Sequence, residues 1–267
     1  MGTFTEVRSE LTYLGALLRL NVASGLARPG LALASAAMMC ANNLLFFVVW
    51  VIYFENFSSL RGWGLKDLAL LMGVGAWGFG LTVALTGGVR DLARAIINGS
   101  LDIHLGRPRH LLPSLLLSRS LPSGWGDALS SLILWLWLTD VTWSELPFVI
   151  AVATAGGAVL LATVVGIQSL AFWLPKSGTL ADEIFNLLIT VTVYPQHTYG
   201  FVIRALLFTV VPAAFITFIP VEAIREGSLI KAAAVLVAAL FYAGVATCIF
   251  ERGLRRYSSG NRMLELR

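Results

Sequence analysis

The sequence has little charge and almost no cysteine. Only 13% of its 267 residues are charged, whereas about 25% of the residues of a soluble domain carry a charge. Cysteine occurs twice, at Cys40 and Cys248, and both residues lie within apolar runs. The low charge argues against an ordinary soluble domain, and two isolated cysteines exclude a disulfide scaffold and a cysteine-based metal framework.

The usual sequence motifs of catalysis are absent as well. The chain contains no GxxxxGK[ST] phosphate-binding loop, no GxSxG nucleophile elbow and no HExxH zinc motif. Its three histidines, His104, His110 and His197, do not combine with cysteines or carboxylates into a metal-ligand pattern. We therefore expect no catalytic residue, no metal site and no cofactor bound by this chain itself.

Apolar segments are abundant instead. Hydrophobic residues make up 57% of the chain and the mean hydropathy is +0.80, which indicates an all-α polytopic membrane protein with one integral membrane domain over residues 1–267. A membrane-spanning helix needs about 20 apolar residues. Five spans are predicted on this basis: Leu31–Tyr53, Leu68–Val89, Trp125–Thr139, Leu146–Trp173 and Leu229–Phe250.

A sixth crossing is predicted between Gly178 and Ser228, where two arrangements fit. In one, Ile184–Tyr194 is a short fifth span and Phe201–Pro220 is a re-entrant hairpin before the last helix, broken at Pro212. In the other, Ile184–Tyr194 stays in the interface and Phe201–Pro220 crosses fully. Length favours the second arrangement, whereas the prolines favour the first, since proline removes a backbone donor and bends a helix.

The N-terminal residues 1–29 are predicted to form an amphipathic helix at the cytoplasmic interface. Apolar residues recur at helical spacing on one side of this segment, and the charged residues lie mostly elsewhere. Arg28, Pro29 and Gly30 favour a break before the first span. A simple N-terminal extension of that span is the alternative.

Lysine and arginine are distributed unevenly between the two sides of the predicted bundle. With both termini inside, fourteen of the nineteen lie on the cytoplasmic side, four lie outside, and Arg204 is undecided. Since these residues accumulate in cytoplasmic loops, the bias predicts cytoplasmic termini, a cytoplasmic loop at residues 90–119 and a cytoplasmic tail at residues 251–267. Topology thus explains the net charge of +4, and we expect no nucleic-acid partner.

The cytoplasmic loop at residues 90–119 has a pattern of its own. Residues 91–97 alternate charged and apolar side chains at helical spacing, and Asn98, Gly99 and Ser100 then break the helix. Residues 100–105 can form one short amphipathic turn, closed by Gly106 and Pro108. A short helix across the membrane plane suits docking into a groove of a soluble partner; an ordinary solvated loop is the alternative.

Several stretches resemble a known family. The loop sequence INGSLD (97–102), followed by LGRP (105–108), is similar to the "G-x-L-D, then L-x-x-P" signature of ABC-2-type export permeases. The other stretches that agree in order and spacing are NNLLF (42–46), GW (62–63), YP (194–195) followed by Arg204 and VP (211–212), and GLRRY (253–257). The resemblance covers nearly the whole chain.

The resemblance implies a permease subunit of an ATP-driven exporter with six spans, an interface helix and a re-entrant segment. Such a permease pairs with an identical or homologous permease, and two copies of a separate ATPase chain bind ATP and Mg²⁺. Gly99, Leu101, Asp102, Arg107 and Pro108 would form or brace the element that couples to the ATPase. The cargo would be a drug, a lipid or a glycan, moved across the cytoplasmic membrane of a bacterium.

Other functions remain as alternatives. An ATPase-independent secondary transporter would need an ionisable residue within the membrane, and Arg204 is the only charge expected to qualify. A membrane scaffold subunit is a third interpretation, and an intramembrane enzyme would lack a polar cluster beyond Asn42, Asn43, Gln168 and Arg204. Of these, Asn42, Asn43 and Arg204 are the candidates for a translocation path.

Overall fold

The computed structural model describes residues 2–60, 62–105, 110–174, 178–193 and 212–257. These residues are helical apart from short connections and one bridge between Leu60 and Trp63. The helices are α1 (Gly2–Gly25), α2 (Pro29–Asn56), α3 (Leu65–Thr86), α4 (Leu92–Ile97), α5 (Asp102–Leu105), α6 (Leu111–Leu116), α7 (Ser123–Leu138), α8 (Leu146–Ser169), α9 (Gly178–Val193), α10 (Ile219–Glu226) and α11 (Leu229–Leu254). The predicted all-α class is confirmed.

Among the residues that the structure describes, four helices are long and apolar enough to cross a membrane, judged by length and composition. They are Pro29–Asn56, Leu65–Ile97 with its 3₁₀ turn at Gly87–Asp91, Leu146–Phe172 and Leu229–Leu254, which correspond to the predicted first, second, fourth and last spans. Helix α7, the predicted third span, has 16 residues and extends about 24 Å, less than the roughly 30 Å of a bilayer core. The six-span topology stays a prediction.

The N-terminal helix is separate from the first span, as predicted. Helix α1 ends at Gly25, Arg28 leaves the helical conformation at φ −115° and ψ 82°, and Pro29 opens α2. Proline is suited to the first turn of a helix, where its missing N–H removes no hydrogen bond. The break is therefore confirmed, whereas the interfacial position of α1 stays a prediction.

The region between α8 and α11 matches the sequence prediction in part. Helix α9 begins six residues before the predicted start at Ile184 and runs to Val193. Of the predicted segment 201–220, only residues 212–220 fall within the described residues. There a π-helical turn at Ala214–Phe218 leads into α10. The choice between the two predicted crossings therefore stays open to experiment, and Arg204 lies outside the described residues.

Helix α8 holds the bundle together because it contributes to both buried apolar clusters. Its first half, with Val149 and Ala153, packs in a cluster with residues of α2, α3, α7 and α10. Its second half, from Val159 to Val165, packs with α4, α9 and α11. A displacement of α8 would therefore disturb the packing at both of its ends.

Glycines set the distance between α3 and its neighbours. A Cβ added to Gly80 would lie 2.6 Å from the Asp127 Cβ and 2.6 Å from the Gly124 carbonyl oxygen on α7. A Cβ added to Gly78 would lie 2.9 Å from the Cα of Gly157 on α8. The helices thus touch through their backbones at these two positions, as small residues allow in lipid.

Replacing Gly80 by alanine should separate α3 from α7. Overpacking of this kind costs about 1–3 kcal/mol, so we expect a lower free energy of unfolding and a lower midpoint of thermal unfolding. The matched control is Gly244→Ala on α11, where an added Cβ meets no atom within 4 Å and alanine has the higher helix propensity. Tryptophan fluorescence of the purified protein in detergent measures both midpoints, and equal midpoints would contradict the proposed contact.

Candidate functional site

The α4–α5 segment, residues 87–105, has the shape that its sequence predicts. A 3₁₀ turn at Gly87–Asp91 leads into α4, which ends at Asn98. Gly99 then adopts φ +74°, a left-handed conformation that costs other residues about 1–2 kcal/mol. The chain turns there and forms the short helix α5 at Asp102–Leu105. The predicted break at residues 98–100 and the short helix after it are confirmed.

The side chains of this short helix divide between the core and the surface. Leu101 is fully buried, whereas Ile103 is 72% exposed and Leu105 is 44% exposed. Leu101 therefore braces the turn and cannot touch a partner, whereas the sequence pattern did not distinguish bracing from contact. The exposed apolar residues Ile103 and Leu105 were not among the predicted site residues, and Arg107 and Pro108 lie outside the described residues.

Polar contacts fix α4 to the helix bundle. The Gln168 Oε1 atom at the end of α8 accepts a hydrogen bond of 3.2 Å from the backbone N–H of Ala93, and both residues are buried. The Arg90 guanidinium lies 5.6 Å from the ring centroid of Phe185 on α9, a cation–π distance. Gln168 thus satisfies a donor of the first turn of α4 and has a structural role.

The C-terminal end of α11 packs behind the glycine turn. A Cβ built on Gly99 would lie 3.7 Å from the Tyr257 hydroxyl oxygen, and the Tyr257 ring lies 6.2 Å from the ring of Phe172. A Cβ on Gly253 would collide with the same Phe172 ring. Two of the stretches that carry the family resemblance, INGSLD and GLRRY, therefore meet in space.

Helix α1 is connected to the chain that follows the α4–α5 segment. The Glu10 carboxylate accepts a hydrogen bond of 3.3 Å from the backbone N–H of His110. The Asn21 side chain donates one of 2.9 Å to the carbonyl oxygen of Leu117. These two hydrogen bonds link α1 directly to residues 110–117.

A cavity of about 370 Å³ lies among α2, α3, α7, α8 and α9. Among the described residues, its polar lining consists of Asn42, Asn43, Asp127 and Thr190. The Asn43 amide donates to the Asp127 Oδ1 atom at 2.7 Å and to the Ser130 Oγ atom at 3.0 Å. The structure therefore brings Asn42 and Asn43, two of the candidates for a translocation path, to the wall of one cavity.

Asp127 was missed by the sequence analysis. It lies within the predicted third span and on α7, and its residue is only 2% exposed. The sequence analysis considered Arg204 alone as an ionisable residue within the membrane, and the buried Asp127 is a second candidate. A signal was available, because Asp127 is the only charged residue in the segment 123–139, and such residues are rare and functional in membrane helices.

Substitution of Gly99 tests the left-handed turn separately from packing. Gly99→Ala should destabilise the turn by about 1–2 kcal/mol, whereas Gly99→Asn should cost less, because asparagine tolerates positive φ better than alanine does. The space around Gly99 admits a Cβ without collision. Hydrogen–deuterium exchange of a peptide spanning residues 97–105 should rise more in the alanine variant, and the reverse order would refute the assignment.

One of three comparisons with known proteins found a match, and it identifies a family. A family model described as ABC-2 family transporter protein matches residues 39–260, which include the cavity, the α4–α5 segment and α11. No curated protein and no solved structure matches the chain. The family match covers well over half of the 267 residues. The resemblance is thereby confirmed, and the chain belongs to the ABC-2 family of transporter proteins, as a multi-pass membrane component.

Proposed function

We propose that the chain is the permease subunit of an ATP-driven exporter. The observation that carries the proposal is the α4–α5 segment, which presents the exposed Ile103 beside a buried Leu101 in a chain of the ABC-2 family. An exposed apolar side chain on a short, braced helix suits a groove of a soluble partner. The partner would be an ATPase, which supplies the phosphate-binding loop that this sequence lacks.

The mechanism follows from the contacts around that segment. Closure of two ATPase copies around ATP and Mg²⁺ would displace α5, and the Gln168–Ala93 hydrogen bond would transmit the displacement to α8. The Arg90–Phe185 contact would transmit it to α9, and α1 would follow through residues 110–117. Helices α8 and α9 both line the cavity, so access to the cavity would change with the state of the ATPase.

The remaining parts of the proposal concern assembly and location. The chain would cross the cytoplasmic membrane of a bacterium six times, with α7 and either α9 or residues 201–220 completing the four candidate spans. Both termini would face the cytoplasm, as the distribution of Lys and Arg favours. The permease would pair with an identical or homologous permease, and the cargo would be a drug, a lipid or a glycan.

A secondary transporter that needs no ATPase is the second candidate function. The observation that favours it is the burial of Asp127 on α7, since transporters of this kind couple to ions through ionisable residues within the membrane. The family match favours the exporter. A scaffold subunit without transport is a third candidate, and it would work without nucleotide hydrolysis.

Affinity purification of the tagged protein in mild detergent separates these candidates. The exporter requires a stoichiometric ATPase with a phosphate-binding loop to co-purify, and mass spectrometry of the purified complex identifies it. A second permease in the same complex would define a heterodimer. A chain that purifies alone, and whose cargo transport in sealed vesicles is indifferent to ATP, would overturn the exporter.

Replacing Ile103 by aspartate should weaken the ATPase contact. The charged side chain must be desolvated on docking, so we expect at least about tenfold less ATPase to co-purify with the variant, in line with the cost of losing a central interface residue. Asp102→Ala should lower cargo-stimulated ATP hydrolysis without preventing membrane insertion. Trp143→Asp is the control for Ile103→Asp, because Trp143 is an apolar residue that is 76% exposed and lies between α7 and α8, away from the α4–α5 segment. Unchanged ATPase recovery with Ile103→Asp would contradict the docking surface.

A further inference from the structure

The cavity among α2, α3, α7, α8 and α9 holds a carboxylate that is only partly neutralised. The Asp127 Oδ1 atom accepts a hydrogen bond from Asn43. The Oδ2 atom is buried and has no hydrogen-bond partner among the residues that the structure describes. Within the same part of the chain, no lysine or arginine forms an ion pair with Asp127. One oxygen of this buried carboxylate therefore lacks the hydrogen bond that a buried charge requires.

The position of this carboxylate is defined by the fold. Its helix packs against α3 so closely that Gly80 has no room for a Cβ beside the Asp127 Cβ. The Ser130 and Ser131 hydroxyls both donate to the Asp127 backbone carbonyl, at 2.8 Å each. The carboxylate is thus held at the cavity wall by packing from α3 and by the amide of Asn43 from α2.

The remaining wall of the cavity is mostly apolar. Its apolar lining includes Met39, Phe46, Met72, Phe79, Leu160 and Ile216. The cavity opens where Asn42 and Thr190 are exposed. Its volume of about 370 Å³ lies in the range of about 300–1,000 Å³ found for small-molecule sites, which are largely apolar with a few polar groups.

We propose that this cavity is the cargo site and that it binds an amphipathic organic cation, a protonated amine on an apolar body, with Asp127 as the ion-pair partner. The cargo role rests on the exporter function proposed above. A protonated amine supplies the positive charge that a buried carboxylate requires, and its N–H donors would supply the hydrogen bond that the Oδ2 atom lacks. Phe46 and Phe79 would contact the apolar body and the cation.

The same features disfavour the other cargo classes. An anionic lipid headgroup would meet a like charge at Asp127, which costs free energy in a site of low polarity. A glycan would need many hydrogen-bonding side chains, and the described lining offers only Asn42, Asn43, Asp127 and Thr190. Among drug-like, lipid and glycan cargoes, the cavity therefore selects cationic drug-like molecules.

Dansylcadaverine and its N-acetylated form test the proposal as a matched pair of probes. They share one apolar fluorophore, but only the first carries a protonated amine. The full chain is placed in nanodiscs of neutral lipid, and dansyl emission is measured against empty nanodiscs. Dansylcadaverine should bind the unaltered protein, and the acetylated probe should bind at least about tenfold more weakly, because a buried charge pair is lost.

Two variants locate the binding. Asp127→Asn keeps the shape and removes the charge, so it should bind dansylcadaverine at least about tenfold more weakly than the unaltered protein does. Asp140→Asn removes a carboxylate that is 82% exposed and should leave binding unchanged. Equal binding of the two probes, or full binding by Asp127→Asn, would overturn the proposal.

A chemical measurement on the unaltered protein does not depend on any variant. Dicyclohexylcarbodiimide modifies carboxyl groups in apolar surroundings, and mass spectrometry of peptides identifies the labelled residue. Dansylcadaverine should slow the labelling of Asp127, whereas the acetylated probe should not, and equal labelling rates with both probes would overturn the proposal. Neither measurement needs ATP. Binding of dansylcadaverine without a co-purifying ATPase would therefore retain the cation site and refute the exporter. A co-purifying ATPase without binding of dansylcadaverine would refute the cation site alone.

Discussion

Close contact between helix backbones is the constraint on which the rest of this structure depends. In lipid, helices associate through packing, since the hydrophobic effect gives no preference for one apolar surface over another. Gly78 brings α3 against α8, and Gly80 brings it against α7. The second of these contacts also places Asp127 opposite Asn43 of α2. One packing solution thus builds the bundle and positions its only described buried carboxylate.

The same bundle connects the cavity to the α4–α5 segment. Helix α8 lines the cavity with Leu160 and holds the first turn of α4 with Gln168. The two residues are eight positions apart, about 12 Å along the helix axis. A rigid helix transmits a displacement over that distance without a hinge. Because both halves of α8 are packed in buried apolar clusters, a shift of the helix would change the packing at both of its ends.

Local patterns were sufficient to predict much of the fold. The apolar runs predicted the long helices, Pro29 predicted the break before α2, and the NGS sequence predicted the turn at Gly99. Asp127 was missed because hydropathy averages over a window, and one acid does not change the average of α7. The orientation of Leu101 could not be predicted, since one turn of helix has no periodicity to reveal which face is buried.

In the proposed cargo site, the geometry of the carboxylate would also relate cargo affinity to helix movement. Asp127 lies on α7 and its hydrogen-bond donor Asn43 lies on α2, so a change in the spacing of these helices changes the neutralisation of the charge. With the Asn43 amide hydrogen-bonded to it, the carboxylate is partly stabilised, so an ammonium group contributes less additional stabilisation. When the amide moves away, the buried charge loses this stabilisation, so a cation or water stabilises it by a larger free energy. A structure that admits water as the helices separate would therefore release a cationic ligand, because hydration replaces the ion pair. Cargo release and helix movement would then be a single event.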